Sequence, residues 1–125
     1  MAAELRFAKS HEWIRPEADG LATVGISKYA VEALTDLVFM QLPPVGKKVK
    51  AGESLGEIES VKAVSDVYAP VSGEIVAVNS ALPNQLDTLG QDPYGAGWLV
   101  KIRPENPAEM AALLDQSAYD ALVKS

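Results

Sequence analysis

Glu59-Ser60-Val61-Lys62-Ala63 sits near the middle of the chain, between Gly56-Glu57-Ile58 and Val64-Ser65-Asp66-Val67-Tyr68-Ala69-Pro70. Both flanks are rich in residues that favour extended backbone, which predicts a strand, a tight reversal carrying Lys62, and a returning strand. The reversal holds no Gly, Asn or Pro, so turn chemistry alone does not locate it.

Three roles compete for Lys62. A solvated surface lysine is the commonest fate of this residue type. A Schiff-base or general-base lysine needs a desolvated, uncharged amine. Glu57, Glu59 and Asp66, close by in sequence, favour the ammonium instead. An anchor for a tethered prosthetic group must be exposed and flanked by small side chains, and Ser60, Val61 and Ala63 suit that.

Composition narrows the field. A length of 125 residues predicts a single domain over residues 1–125, burying roughly two-thirds of its unfolded surface around one core. The formal charge of −6 argues against nucleic-acid or anionic-membrane partners, both of which reward basic patches. Lys47-Lys48-x-Lys50, the largest cationic cluster, reads as a solvated turn beside Gly46 and Gly52. The chain has no cysteine and one histidine, so disulfides, thiol nucleophiles and Cys- or His-built metal clusters are excluded. Any sulfur chemistry must come from something attached to it. No apolar run reaches membrane-spanning length, and Met1 to Lys9 has neither a signal peptide's apolar core nor a transit peptide's composition. A soluble intracellular protein is expected.

Taken in order, Leu5 to Ile14 predicts short strands anchored by Leu5, Phe7, Trp13 and Ile14. Pro16-Glu17-Ala18-Asp19-Gly20 predicts a hairpin turn into a strand over Leu21–Ile26, with Leu21, Thr23 and Gly25 alternating against Ala22, Val24 and Ile26. Ser27 is placed to cap a helix from Lys28 to Leu34. A strongly apolar strand follows over Asp36–Leu42, stopped by Pro43-Pro44. Brief strands are expected near Val49 and over Ser54–Val61, then Ala63–Tyr68 and Glu74–Asn79. Ser80 to Gly97 reads as loop, and Trp98–Ile102 as a last strand ending before Pro104. Asp92-Pro93-Tyr94-Gly95 has the residue order of a type I turn, and a functional loop is the competing reading. Asn106-Pro107-Ala108-Glu109 is an N-cap, first-position proline and N3 glutamate. It opens a helical tail over about 106–124, with a second short helix beginning at Ser117. Pro44-Val45-Gly46-Lys47-Lys48-Val49 faintly echoes Pro70-Val71-Ser72-Gly73-Glu74-Ile75, which suits two quasi-equivalent sheets meeting at Lys62.

The lysine stretch with Ser65-Asp66 resembles the lipoyl-lysine site of the H proteins of the glycine cleavage system. The resemblance extends through Ser10-His11-Glu12-Trp13, Gly25-Ile26, Asp36-Leu37-Val38-Phe39, Leu42-Pro43, Pro70 to Ile75 and Asp92 to Trp98, in order over nearly the whole chain. It implies a mainly β, lipoyl-domain-like flattened antiparallel barrel or sandwich with a short internal helix and C-terminal helices. It also implies lipoate held as an amide on Lys62, attached by a lipoyl ligase or transferase. The arm of such a carrier takes an aminomethyl group from pyridoxal-phosphate-dependent glycine decarboxylase to tetrahydrofolate-dependent aminomethyltransferase, and electrons to dihydrolipoamide dehydrogenase. A carrier of this kind is not an enzyme; it raises effective concentration by tethering. A cationic amine on the arm calls for carboxylate or hydroxyl partners. Motif matching assigns Ser10, Glu12 and Asp66 to that groove, against surface solvation as the plain alternative for the two acids. His11 and Trp13 are assigned to packing and local hydrogen bonding.

The chain departs from the family pattern at Thr35-Asp36, where many H proteins have Gly-Asp, at Gly90, where Asn is usual, and over Gln85-Leu86-Asp87-Thr88. Other readings are an H-like relay that delivers lipoyl groups to other enzymes and an unmodified β-rich interaction module. Biotin carriers place Met on both sides of their lysine, where this chain has Val61 and Ala63, and lipoyl domains of 2-oxoacid dehydrogenases usually carry Asp-Lys-Ala. No nucleophile, metal cluster or phosphate loop supports an enzyme. A bacterial cytoplasmic protein is expected, and a processed protein of the mitochondrial matrix would read the same way.

Overall fold

The computed structural model describes residues 5–17, 20–34, 36–61 and 63–124. Two antiparallel sheets make the body. The larger has the order β1 (Arg6–Phe7), β2 (Glu12–Pro16), β3 (Ala22–Ile26), β9 (Val100–Pro104), β8 (Gly73–Val78) and β5 (Lys48–Val49). The smaller is β4 (Leu37–Gln41), β6 (Ser54–Ser60) and β7 (Val64–Tyr68). Ile14, Val24, Ile75, Ile102, Ile58 and Val67 meet between the sheets in the main core. The expected mainly β architecture with antiparallel sheets and a few helices is what the chain adopts.

Several boundaries differ from expectation for local physical reasons. Strand β3 does not alternate between core and solvent: all five residues are buried, Thr23 included. It lies inside the large sheet between β2 and β9 and is covered on both faces. The apolar run of β4 is half outward-facing, with Val38 and Phe39 exposed and Met40 buried. A bulge between Leu37 and Phe39 shifts the register there and turns the pair toward solvent. Strand β9 begins at Val100 and runs through Pro104, which pairs with Gly73. The echoed segments do not generate equal sheets, since the two sheets have six and three strands. They lie beside each other instead, Lys48 opposite Glu74 and Val49 opposite Gly73.

The stretch read as loop contains a 3-10 turn (Leu82–Asn84) and a helix, α2 (Leu86–Gln91). Leu82 and Leu89 are fully buried and Leu86 packs against the core. Their spacing of four and three residues carries a helical stripe, and the surrounding polar residues obscured it. Asp92 to Gly95 is the turn its sequence suggests: the Gly95 N–H donates to the Asp92 carbonyl at 3.2 Å. The Asp92 carboxylate fills the space a Gly95 side chain would occupy and accepts the Ala96 N–H at 2.9 Å.

At the other end, α3 (Pro107–Ala111) starts as expected, with the Asn106 side chain accepting the Ala108 N–H at 3.0 Å. Glu109 does not reach back to its cap. Its carboxylate accepts the Ser72 N–H at 2.9 Å and the Ser72 hydroxyl at 3.0 Å, pinning the reversal between Tyr68 and β8 to the helix. The last helix, α4 (Gln116–Lys124), is capped by Asp115, one residue before it, and not by Ser117: the Asp115 carboxylate accepts the Ala118 N–H at 2.8 Å.

Helix α4 completes a second apolar cluster of Phe7, Trp13 and Tyr119. Tyr119 stacks on Phe7 with ring centroids 4.3 Å apart and planes 8° off parallel. Phe7 and Leu114 exchange backbone hydrogen bonds at 2.7 and 2.9 Å. Trp13, buried, donates its indole N–H to the Pro93 carbonyl at 3.0 Å and lies opposite Gly25 on β3. A β-carbon at Gly25 would stand 2.6 Å from the indole ring. Gly25→Ala is expected to lose about 1–3 kcal/mol by overpacking, read as a lower urea midpoint with an unchanged slope.

Candidate functional site

Strands β6 and β7 form a hairpin whose reversal runs from Ser60 to Ala63. The Ser60 N–H donates to the Ala63 carbonyl at 2.8 Å, and the Ser60 hydroxyl oxygen accepts the Ala63 N–H at 3.1 Å. A serine side chain thus supplies the closure that the missing Gly, Asn or Pro would have signalled. The Val61 N–H donates to the Asp36 carbonyl at 3.1 Å, which moors the turn to the start of β4. Val61 is 74% exposed and Ala63 is exposed. Lys62 and Thr35 lie outside the described residues. What surrounds position 62 is an outward, hydrogen-bonded turn.

A groove of about 190 Å³ runs beside this hairpin. One wall is Ser10, His11 and Glu12, from the corner between β1 and β2; the opposite wall is Tyr29, Ala30, Ala33 and Leu34 of α1 (Lys28–Leu34). Ile26 and Ile58 are apolar lining, and Ser65 and Asp66 of the edge strand β7 close the side next to the turn. Ser10, Glu12 and Asp66, 56 positions apart at the extremes, therefore border one space. The α1 wall was not anticipated as part of a site, although Ala30, Ala33 and Leu34 repeat at helical spacing and would have marked a smooth face.

The three polar residues differ in setting. Ser10 and Asp66 are exposed, whereas Glu12 is 1% exposed. Its carboxylate accepts the Ser10 hydroxyl on one oxygen and the Tyr68 N–H at 3.0 Å on the other. No ion pair to it forms among the described residues. Burial raises the Glu12 pKa above the usual carboxylate range, and the hydrogen bonds from Ser10 and Tyr68 pull only partly back.

His11 occupies the same wall in a left-handed conformation, φ 82°, the one such non-glycine residue among those described. Such backbone costs about 1–3 kcal/mol and persists only where its surroundings impose it. Here the His11 N–H donates to the Ala8 carbonyl and its carbonyl accepts the Ser27 N–H, both at 2.9 Å. Nδ1 of its ring lies 2.7 Å from the Tyr119 hydroxyl, itself 2.6 Å from the Ser27 hydroxyl. Ser27 also accepts the Ala30 N–H at 3.2 Å, the cap anticipated for α1. Each hydroxyl finds an acceptor when Ser27 O–H donates to Tyr119 and Tyr119 O–H to His11 Nδ1, an assignment in which the imidazole is neutral with its proton on Nε2. Burial favours that state by lowering the His11 pKa. His11 and Trp13 thus act in packing and local hydrogen bonding, and His11 lines the groove as well. Its link to Tyr119 spans too much sequence for any motif to reveal.

A small, largely apolar groove with a buried carboxylate at one side, without an ion pair among the described residues, suits a flexible chain that ends in a hydrogen-bonding or cationic group. It is smaller than the ~300–1,000 Å³ common for compact drug-sized ligands.

Comparison with known proteins points to one family. A family profile described as "Glycine cleavage H-protein" matches residues 5–125. The chain is 56% identical over 121 residues to the glycine cleavage system H protein of Cronobacter sakazakii, covering 97% of this chain and 94% of that one. It is equally identical, with the same coverage, to glycine cleavage system H protein 2 of Pseudomonas putida. The crystal structure of a glycine cleavage system H protein from Mycobacterium marinum superposes with a TM-score of 0.88 at 47% identity, covering all of both chains.

The buried charge has a measurable signature. Because the folded Glu12 pKa is raised, the folded chain holds this proton more tightly than the unfolded chain does. Its contribution to stability is full below the ordinary carboxylate value and is lost as pH rises through the raised one. Glu12→Gln should therefore gain thermal stability relative to the parent as pH climbs from about 4 to 8, by about 4 °C for each kcal/mol relieved. A difference in melting temperature that stays flat across that range would contradict the assignment.

Proposed function

The chain belongs to the glycine cleavage H-protein family and is a lipoyl carrier of that system, and we propose that Lys62 is its attachment point and the neighbouring groove the resting place of the arm. When bound, the lipoyl group supplies the disulfide–dithiol pair that a chain with no cysteine lacks. All other parts of the task fall to this chain's residues, and they bind, orient and shield.

The observation that carries the reading is the Glu12 carboxylate, buried beside a groove without a cationic partner among the described residues. An uncompensated buried acid costs stability. A cationic amine brought in on the arm is the counter-charge it lacks, and a charge-assisted bond there is about twice as strong as a neutral one. The Ser10 hydroxyl, now spent on Glu12, is positioned to share that amine, and Asp66 at the rim adds a second carboxylate. Ile26, Ile58, Ala30, Ala33 and Leu34 give the rest of the groove an apolar lining. Asp66 follows Ala63 by three residues, about 10 Å of extended strand, so anchor and groove belong to one hairpin.

The turn fits its role as substrate of a lipoyl ligase or transferase. Among the described residues its backbone is held by Ser60, Ala63 and Asp36, and amide formation at Nζ of Lys62 would remove one charge from it. Glycine decarboxylase, aminomethyltransferase and dihydrolipoamide dehydrogenase are the partners this role calls for, with the whole of residues 1–125 acting as one carrier domain. No helix among the described residues is long and apolar enough to cross a membrane. A cytoplasmic setting accords with the bacterial relatives.

Expression alongside a lipoyl ligase and free lipoate should give one added lipoyl amide by intact mass, mapped to Lys62 by peptide analysis. Lys62→Arg should leave the mass unchanged while melting as the parent does. An unmodified parent chain, with the ligase active on a control domain, would sink the carrier reading.

A further inference from the structure

The two walls of the groove lie close in the chain, and one hydroxyl from its far end touches both. The Tyr119 oxygen is 2.7 Å from His11 Nδ1 on the β1–β2 wall and 2.6 Å from Ser27 Oγ, the cap of the α1 wall. Tyr119 is 2% exposed and Ser27 fully buried, so water does not compete for either bond. Helix α4 is itself fixed from below by the stack on Phe7, and β1 pairs with Leu114 just before that helix. His11 would not hold its left-handed backbone unaided, and its ring is the part of that wall that faces α1, lying 5.0 Å from Tyr29.

The backbone bond from the Ser27 N–H to the His11 carbonyl already joins the two walls. From these contacts we propose that Tyr119 is a positioning residue: its hydroxyl fixes the His11 ring against the cap of α1, and so the shape of the groove between the walls. It touches neither arm nor cargo and acts through His11 and Ser27. This rests on the reading of the groove as the arm's resting place, but the wall coupling is measurable without the arm.

The test uses the full chain in two forms. In the unmodified protein, NMR follows the His11 imidazole through a pH titration, together with amide hydrogen exchange over the first turn of α1. Four proteins are compared: the parent, Tyr119→Phe, Ser27→Ala and the double variant. Tyr119→Phe keeps the ring and its stack on Phe7 but removes both bonds. It should move the His11 midpoint upward, because the lost bond favours the neutral imidazole. It should also speed exchange at Ala30 and Val31 by about threefold or more through easier local opening. Ser27→Ala leaves α4 untouched and should loosen the same amides, and the double variant should fall short of the sum, as coupled sites do. An unmoved His11 midpoint with additive exchange effects would overturn the proposal, since a tyrosine that only packs is replaced by phenylalanine without either change.

In the second form the chain carries ¹³C-labelled lipoate on Lys62, and carbon relaxation reports how freely the arm moves. Slow motion in the parent and faster motion in Tyr119→Phe support the positioning role; an arm equally restrained in both refutes it. An arm already free in the parent would remove the groove from the carrier's cycle, while the coupling of the walls would stand or fall on the unmodified protein alone.

Discussion

Holding a carboxylate under the surface with no ion pair to it among the described residues is the constraint around which this molecule is arranged. Glu12 opens strand β2, and strand geometry places it against the β7 end where the Tyr68 N–H donates to it. Because β7 is an edge strand, its outer row of backbone groups is open to a side chain from the other sheet. One hydrogen bond thus joins the two sheets and leaves a channel between them. The hydrogen bonds from Ser10 and Tyr68 offset part of the cost of burying that acid.

The anchor and the channel obey different physics although they share a hairpin. At the turn, rigidity comes from short-range contacts: a serine closing on the residue three places on, and a main-chain bond to Asp36. In the channel it comes from side chains of α1, β2, β7 and α4, which belong to both sheets and to two helices. The molecule thus combines a short-range, outward turn with a neighbouring groove whose walls depend on distant contacts.

Much of this was legible in the sequence where local chemistry decides the outcome. The β6–β7 hairpin, the Ser27 cap, the Asn106 cap and the Asp92 turn each depend on residues within a few positions of one another, and each formed as read. The failures have one source, competition from tertiary contacts. Val38 and Phe39 look like core residues until a bulge turns them out, and Thr23 looks like a solvent-facing residue until both faces of its strand are covered. Glu109 reads as a capping-box acid, yet two donors from Ser72 hold it instead. At the site, motif similarity brought Ser10, Glu12 and Asp66 to attention, but no local rule says that Glu12 is buried and Asp66 is not. The α1 wall and the Tyr119 hydroxyl were invisible because they owe their importance to partners in other elements.

The bonds that make the anchor and those that make the groove differ sharply in the length of chain they span. Ser60 meets Ala63 across three residues, whereas Tyr119 meets His11 across 108 and Ser27 across 92. Closing a longer loop costs more entropy, and the far partner must exist before it can be closed at all. In a chain made from its N-terminus, Asp36, Ser60 and Ala63, which hold the turn among the described residues, have emerged once residue 63 has, while the groove lacks its brace until residue 119 is in place. The closing of the turn and the bracing of the groove are therefore separate events in the birth of the protein, with the first able to precede the second.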